Sequence, residues 1–220
     1  MRQRRGAGHR RLTGILTAAA VVVLAAVMVL NTKFLSTDES VAVVGEKFSA
    51  VQYADENYDS VIVPAVLEKA VPATDLLAEM EADIDKAGEA HGGRDGAQSA
   101  WSFPVSFTGV AGEVNTINGQ LPVKIDGIPD SITVLVQTGP PVIGPALRNV
   151  TGQITFGMFT NQTEFQSVAV QLNAKVRENV LAGIDATTLK GKKISVVGVF
   201  AGDRWKSQWL VTPVKLETEG

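Results

Sequence analysis

The chain contains no cysteine. That removes disulfides, a thiolate nucleophile, a cysteine-ligated metal and the lipidated residue that ends a lipoprotein's export segment. Histidine is nearly as scarce, with His9 in a basic N-terminal run and His91 alone in the rest of the chain. A Ser-His-Asp triad or a His-rich metal site therefore has no second imidazole to draw on. His91 itself falls at an expected helix C-terminus, where a cation is favoured electrostatically. There is no internal repeat and no low-complexity tract.

What is present starts at the N-terminus. Arg2, Arg4, Arg5, His9, Arg10 and Arg11 lead into Leu12–Leu30, a run of nineteen residues without a charge. A helix of that length reaches about 28 Å, close to the roughly 30 Å of a bilayer's hydrocarbon core. The arginines sit on one flank, so the positive-inside rule puts 1–11 in the cytoplasm and Phe34 onward outside. A cleaved signal peptide has a shorter apolar core, about 7–15 residues, and a small-x-small site. Here the run ends Val27-Met28-Val29-Leu30-Asn31, which offers no such site. The expected organisation is a cytoplasmic basic tail (1–11), a transmembrane signal anchor (12–30), a tether (31–40) and a single extracytoplasmic domain (41–217). The protein is thus expected in the cell membrane, its C-terminal domain periplasmic or at the cell surface.

Charge sharpens this picture. Six of the twenty Lys and Arg (Arg2, Arg4, Arg5, Arg10, Arg11 and Lys33) belong to the segment and its flanks, while all twenty-three acids follow it, so the outer part carries −9. Such a domain repels a polyphosphate unless a basic patch compensates. The longest basic cluster, Lys190, Lys192 and Lys193, has no interleaved aromatic and reads as a solvated turn. Nucleic acid is not an expected partner.

The outer part alternates between two periodicities. Val61-Ile62-Val63-Pro64 fits a strand edge or the lead into a helix, since Pro suits a first helical turn. From Thr74, read as a cap, the stripe Leu77, Met80, Ile84 and Ala87 signals a helix closed by Gly88 and Gly92-Gly93. The period then becomes two: Trp101, Phe103, Val105 and Phe107 alternate with Ser102, Pro104, Ser106 and Thr108, a half-buried strand. Val110–Ile117 extends it, Asn118-Gly119 signals a hairpin, and Gln120–Ile125 returns with Pro122 marking an edge. Further strands are expected at Ile132–Gln137, Ile154–Phe159, Ile194–Phe200 and Trp209–Leu216. Thr138–Pro145, with three prolines and two glycines, is a rigid loop. Phe165, Val168, Ala169, Leu172, Val176 and Val180 form the stripe of a second helix, capped near Asn161 or Thr163. Hairpin-linked strands exclude a doubly wound parallel sheet. The expected fold is mainly β or α+β, a small partly open barrel with two added helices.

No constellation declares a chemistry. Asp83-x-Asp85-x-Ala87-Gly88 fails as a calcium loop, because its fifth position is Ala87 and its twelfth Arg94. Gly191-Lys192 lacks the flanking residues of a phosphate loop. A glycosidase-type carboxylate pair is a spatial arrangement that sequence does not test. No catalytic residue, cofactor or metal is therefore assigned, and the chain reads as non-enzymatic. Two segments offer a binding wall instead. Gln137–Asn149 delivers Arg148 after its Gly/Pro loop, and Phe156–Phe165 sets Asn161 and Gln162 between aromatics. A guanidinium and amides beside aromatic faces suit a hydroxyl-rich ligand, which makes Arg148, Asn161 and Gln162 the candidate ligand-binding residues. The alternative is that Arg148 and Asn161 merely brace and cap the barrel.

The same segments carry a family resemblance. Gly139-Pro140-Pro141-Val142-Ile143-Gly144-Pro145-Ala146-Leu147-Arg148-Asn149 and Phe156-x-x-Phe159-x-Asn161-Gln162-x-x-Phe165 resemble the bacterial predicted periplasmic lipoproteins catalogued as domain of unknown function 2291. Pro72–Leu77, Leu172-Asn173, Gly198-x-Phe200 and Thr212-Pro213-Val214 add to the match, which spans about residues 40–217. The resemblance implies an OB-like barrel with added helices, export, and genes that neighbour sugar ABC-transporter components; it implies no catalytic residue. The chain departs from the family pattern at Ile143, Pro145 and Asn149, where Arg, Thr and an acid are usual. The expected function is a membrane-anchored accessory or binding domain associated with sugar ABC-transporter uptake. The alternatives are an OB-like binder of oligosaccharide or nucleic acid, and a hydrolase with a spatially assembled carboxylate pair.

Overall fold

The computed structural model describes residues 48–202 and 207–219. The basic tail, the expected anchor over 12–30, the tether and a strand expected at 41–44 lie outside the described residues. Among the described residues no helix is long and apolar enough to cross a membrane.

The strand with the clearest alternation is the hub of the fold. β2 (Trp101–Ala111) follows a two-residue strand, β1 (Val71–Pro72), and precedes β3 (Gln120–Lys124), β4 (Thr133–Gln137), β5 (Lys193–Gly202) and β6 (Gln208–Thr218). β2 pairs antiparallel with β5 from Trp101↔Gly202 to Val110↔Lys193, and its far end pairs with β3. β3 then pairs with β4, β4 runs parallel to β6, and β6 returns to β5. The ring β2-β3-β4-β6-β5-β2 is therefore closed, where the sequence suggested a partly open barrel. Closure pairs each of those five strands on both sides, and β1 adds to β2 beyond the reach of β3, Val71 lying opposite Val105.

The hairpin signal at Asn118-Gly119 holds. Gly119 takes φ +64, a left-handed conformation that glycine adopts without steric cost, and the Asn118 side chain accepts from the Gln120 N–H at 3.1 Å. β2 stops at Ala111 rather than running on to Ile117. Pro122 is not on an edge either: it lies opposite Leu135 inside the ring, and its carbonyl accepts from the Gly112 N–H at 2.7 Å.

Helices number more than the two expected. α1 (Ala50–Asn57) runs through a π turn, Tyr58–Ile62, into α2 (Val63–Lys69), with Pro64 in the first turn of α2. Ala54, Tyr58, Ile62 and Val66 are its buried face. A strict four-residue repeat drifts off the face of a 3.6-residue helix, and one wider π turn absorbs the drift. α3 (Ala73–His91) starts after Pro72 rather than at a Thr74 cap, and runs past Gly88. Asp83 breaks its helical geometry, and its carboxylate accepts from the Asp85 and Lys86 N–H groups. The acidic pattern that failed as a calcium loop is thus a restart cap. α4 (Ala146–Asn149) is a single turn, and α5 (Gln162–Asn179) matches the second expected helix. Ile154–Phe159 is not a strand but leads into a 3-10 turn at Phe156–Met158. Its Met158 and Phe159 N–H groups bond to the Thr155 and Phe156 carbonyls within the segment rather than to a strand.

Two cores result. Inward residues of the strands, Phe103, Val105, Leu121, Val136, Val196 and Trp209 among them, fill the barrel together with Leu76, Leu77, Ile84 and Ala87 of α3. Phe200 stacks on Trp209 at a centroid distance of 4.5 Å. Val199 and Val214, on the other face of β5 and β6, join a second core with the buried faces of α1, α2, α4 and α5. Both faces of β5 are covered, which is why its sequence reads as an almost unbroken apolar run.

Candidate functional site

The Gly/Pro loop after β4 is fixed by a buried amide. Gln137 ends β4 only 2 % exposed. Its Nε2 donates to the Ile143 carbonyl at 3.0 Å and the Thr212 hydroxyl at 2.7 Å, while its Oε1 accepts from the Ile143 N–H at 2.8 Å. From the other side Asn173 Nδ2, on α5, donates to the Gly144 carbonyl at 2.9 Å. Held at both faces, the loop sets the direction in which α4 leaves it, and so the position of Arg148.

Arg148 is 5 % exposed. Its Nε donates to Asn149 Oδ1 at 2.9 Å, one terminal nitrogen to the Phe165 carbonyl at 3.2 Å and the other to Asp95 Oδ2 at 2.8 Å. The guanidinium lies over the Phe165 ring at 3.5 Å, a cation–π contact strengthened by exclusion of water. Burial holds its pKa below the ordinary arginine value, and the Asp95 carboxylate opposes that shift; an arginine nevertheless stays charged in a protein. Asp95 reaches it from the loop after α3 because Gly93 pairs with Ser102 in both directions, at 3.0 and 2.8 Å. A Cβ on Gly93 would stand 2.3 Å from the Val150 carbonyl oxygen, so only glycine lets that loop come so close.

A groove of about 410 Å³ opens beside this pair. Ile143 and Val170 form an apolar rim, 50 % and 59 % exposed, and Phe165 and Ala169 line it further in. Asp95, Arg148, Gln162, Gln166 and Asn173 supply polar groups. Two oxygens on these side chains, Asp95 Oδ1 and Asn173 Oδ1, are buried without a hydrogen-bond partner. An unpaired buried acceptor costs about 1–3 kcal/mol.

Of the three residues picked from sequence, the structure brings together Arg148 and Gln162. Asn161 is elsewhere: it caps α5, its Oδ1 accepting from the Glu164 N–H at 3.0 Å, while Glu164 accepts from the Thr160 N–H. Arg148 braces the fold, as one of the two sequence readings had it, and also lines the groove. Sequence reasoning missed Asp95, Gln137 and Asn173. Asn173 did leave a signal, a polar residue four after Ala169 on an apolar helical stripe, and Gln137 closes an apolar strand. Asp95 left none, since nothing in a glycine loop announces an arginine 53 positions away.

Among the described residues every acid is exposed except Asp83, Asp95 and Glu164, and each of those accepts from a neighbour already named. The described residues hold no cluster of acids and histidines fit for a metal. His91 pairs with Glu79 at 2.8 Å, and Lys190 and Lys193 pair with Glu113 and Glu219.

Comparison with other proteins bears on fold and family. No curated protein matches the chain. The crystal structure of an OB-fold protein from Thermotoga maritima MSB8 superposes with a TM-score of 0.62 at 17 % identity, covering 79 % of this chain and all of that one. The likeness shows the fold: a five-stranded OB barrel carrying extra helices. The model of the family described as predicted periplasmic lipoprotein (DUF2291) matches residues 17–217. With barrel, helices and sequence in agreement over nearly the whole length, the chain belongs to this family of predicted periplasmic lipoproteins, an extracytoplasmic, membrane-associated group of unknown function.

Proposed function

We propose that this protein is a non-catalytic, membrane-anchored binding domain that takes a hydroxyl-bearing ligand in the groove beside Arg148 and serves sugar ABC-transporter uptake. The observation that carries the binding reading is the groove itself, an apolar rim of Ile143 and Val170 set beside the Arg148–Asp95 pair and the exposed amides of Gln162 and Gln166. An apolar rim with a few convergent polar groups is the usual make-up of a small-molecule site. The volume lies in the lower part of the range of about 300–1,000 Å³ typical of small-molecule sites.

Supporting the rest are the family's extracytoplasmic description and the gene neighbourhood that the resemblance implies. With no cysteine to carry a lipid, the apolar run at 12–30 supplies the membrane attachment. The alternative of an OB-like nucleic-acid binder has the outer charge of −9 against it.

The test uses the full-length chain in detergent micelles. Calorimetric titration with a panel of monosaccharides should give saturable heat, and affinity purification from membranes should recover sugar-transporter permease or ATPase subunits. Absence of heat with every sugar removes the binding reading; absence of every transporter subunit removes the uptake reading.

A further inference from the structure

The 3-10 turn at Phe156–Met158 puts large apolar side chains into solvent. Thr155 to Met158 are all exposed, with Phe156 at 47 % and Met158 at 56 %. Apolar side chains grouped on a surface mark a contact with a protein or a membrane. No charge interrupts the sequence from Asn149 to Thr163, although the outer part as a whole is acidic. The turn is held from behind: the Phe156 ring meets Phe165 edge-on at a centroid distance of 5.8 Å, and Phe159 lies 5.5 Å from the same ring. Its Met158 and Phe159 N–H groups are bonded inside the segment, each at 3.1 Å. Backbone groups satisfied from within lower the cost of taking the turn out of water.

The place where the chain enters the domain indicates what this turn meets. Phe48, the first described residue, packs edge-on against Phe159 at 5.1 Å, and Tyr53 lies 6.1 and 6.3 Å from those two rings. The domain thus begins beside the turn. The apolar run at 12–30 ends seventeen residues before Phe48, a span of at most about 60 Å. Attachment at that distance makes a contact between domain and bilayer intramolecular, so a weak one is enough.

We propose that the Phe156–Met158 turn docks the domain on the bilayer surface. Phe156 and Met158 enter the boundary between headgroups and acyl chains, to a depth of about 5–10 Å. Thr155, Thr160 and Gln162, polar and exposed, stay among the headgroups. With no cation between Asn149 and Thr163, the contact is apolar rather than an attraction to anionic lipid. The docking rests on the membrane attachment proposed above and is independent of the groove's ligand.

A chain without cysteine allows labelling at a single introduced site. The full-length protein with Met158→Cys, carrying a nitroxide label, is reconstituted in phosphatidylcholine vesicles at a high ratio of lipid to protein. Ile117→Cys, at a position 89 % exposed between β2 and β3, is the reference. Collision of the label with lipid-dissolved oxygen, relative to a water-soluble nickel chelate, should be several-fold higher at 158 than at 117. Adding Phe156→Ser should lower the ratio at 158 toward the reference. A ratio at 158 no higher than at 117, in protein that floats with the vesicles, would overturn the docking and leave the attachment standing. Protein that does not float with the vesicles would overturn both. A high ratio that disappears on further dilution with lipid would assign the patch to a second copy of the chain and overturn docking on the bilayer.

Discussion

The two cores of this domain are built from similar residues and do different work. The barrel interior is a closed box of strand side chains, its largest rings, Phe103, Phe200 and Trp209, packed on one another. The helical core shares β5 and β6 with it and is as apolar at its centre, with Val168, Leu172 and Val176 fully buried. They differ at the margin. The helical core ends in Arg148, Asn149 and Asn173, all buried, where the Gly/Pro loop and α5 part to form the groove. A ring of strands satisfies its own backbone and leaves no seam. A layer of helices and loops laid on that ring must end somewhere, and polar side chains collect at its boundary. Loops and helix ends carried on a scaffold of strands are where binding residues are disproportionately found.

Substitutions in the two cores should separate these roles. The largest loss is expected from Trp209→Ala, about 3–5 kcal/mol for a large buried aromatic, seen as a collapse of the urea midpoint. Arg148→Ala should cost about 3 kcal/mol, because it strands the Asp95 carboxylate without its partner. Replacing both, as Arg148→Met with Asp95→Leu, should recover stability to within about 1 kcal/mol of wild type while abolishing ligand binding. Equal losses in the single and double variants would mean that the pair is not a coupled unit and that the margin is no different from the barrel.

Tyr58 makes a smaller and opposite test. Its hydroxyl is buried without a partner, so Tyr58→Phe should be neutral or stabilising by up to about 1 kcal/mol. Burial, with the Asp59 charge adding to it, raises the Tyr58 pKa above the ordinary tyrosine value. The native state therefore keeps its proton where the unfolded chain loses it, above pH of about 10. That contribution to stability is full below the unfolded value and falls as pH rises through the alkaline range. Comparing urea midpoints at pH 8 and pH 11 should show a shallower loss in Tyr58→Phe than in wild type. The smallest effect on stability is expected from Val170→Trp, within about 0.5 kcal/mol as for most surface substitutions, while the bulk it puts on the groove rim should weaken any sugar binding seen by calorimetry.

Local pattern was enough for much of the barrel. The strand from Trp101, the Asn118-Gly119 turn and the stripe of α5 with its Asn161 cap are short-range statements, and each holds, although Ser102 and Pro104, expected on an exposed face, are buried. The helical stretch at 50–69 was hidden because its stripe repeats every four residues and passes through the β-branched Val61-Ile62-Val63. The apolar run at 154–159 resembled a strand because periodicity carries no information about whether a sheet edge is free. Thr74 looked like a cap, but α3 had already begun at Ala73, directly after β1. The site was half legible. Arg148 stands out beside its Gly/Pro loop and Gln162 near aromatics, while Asp95 lies in a loop whose only apparent content is glycine.

The sequence by itself determined an acidic region after a basic, apolar N-terminal segment, a chain without cysteine, a hairpin-rich β fold and the family it resembles. These follow from composition and from periods of two and 3.6 residues, which need no knowledge of what lies across the fold. Tertiary structure decided that the barrel closes, that Asn161 caps while Asn173 faces the groove, and that Arg148 is balanced by Asp95. Those outcomes depend on segments brought together from 53 residues apart in the Arg148–Asp95 pair and 75 in the Gln137–Thr212 bond. Contacts at such separations are fixed by closure of the strand ring and the packing of α5 against it, not by anything a neighbouring residue can encode.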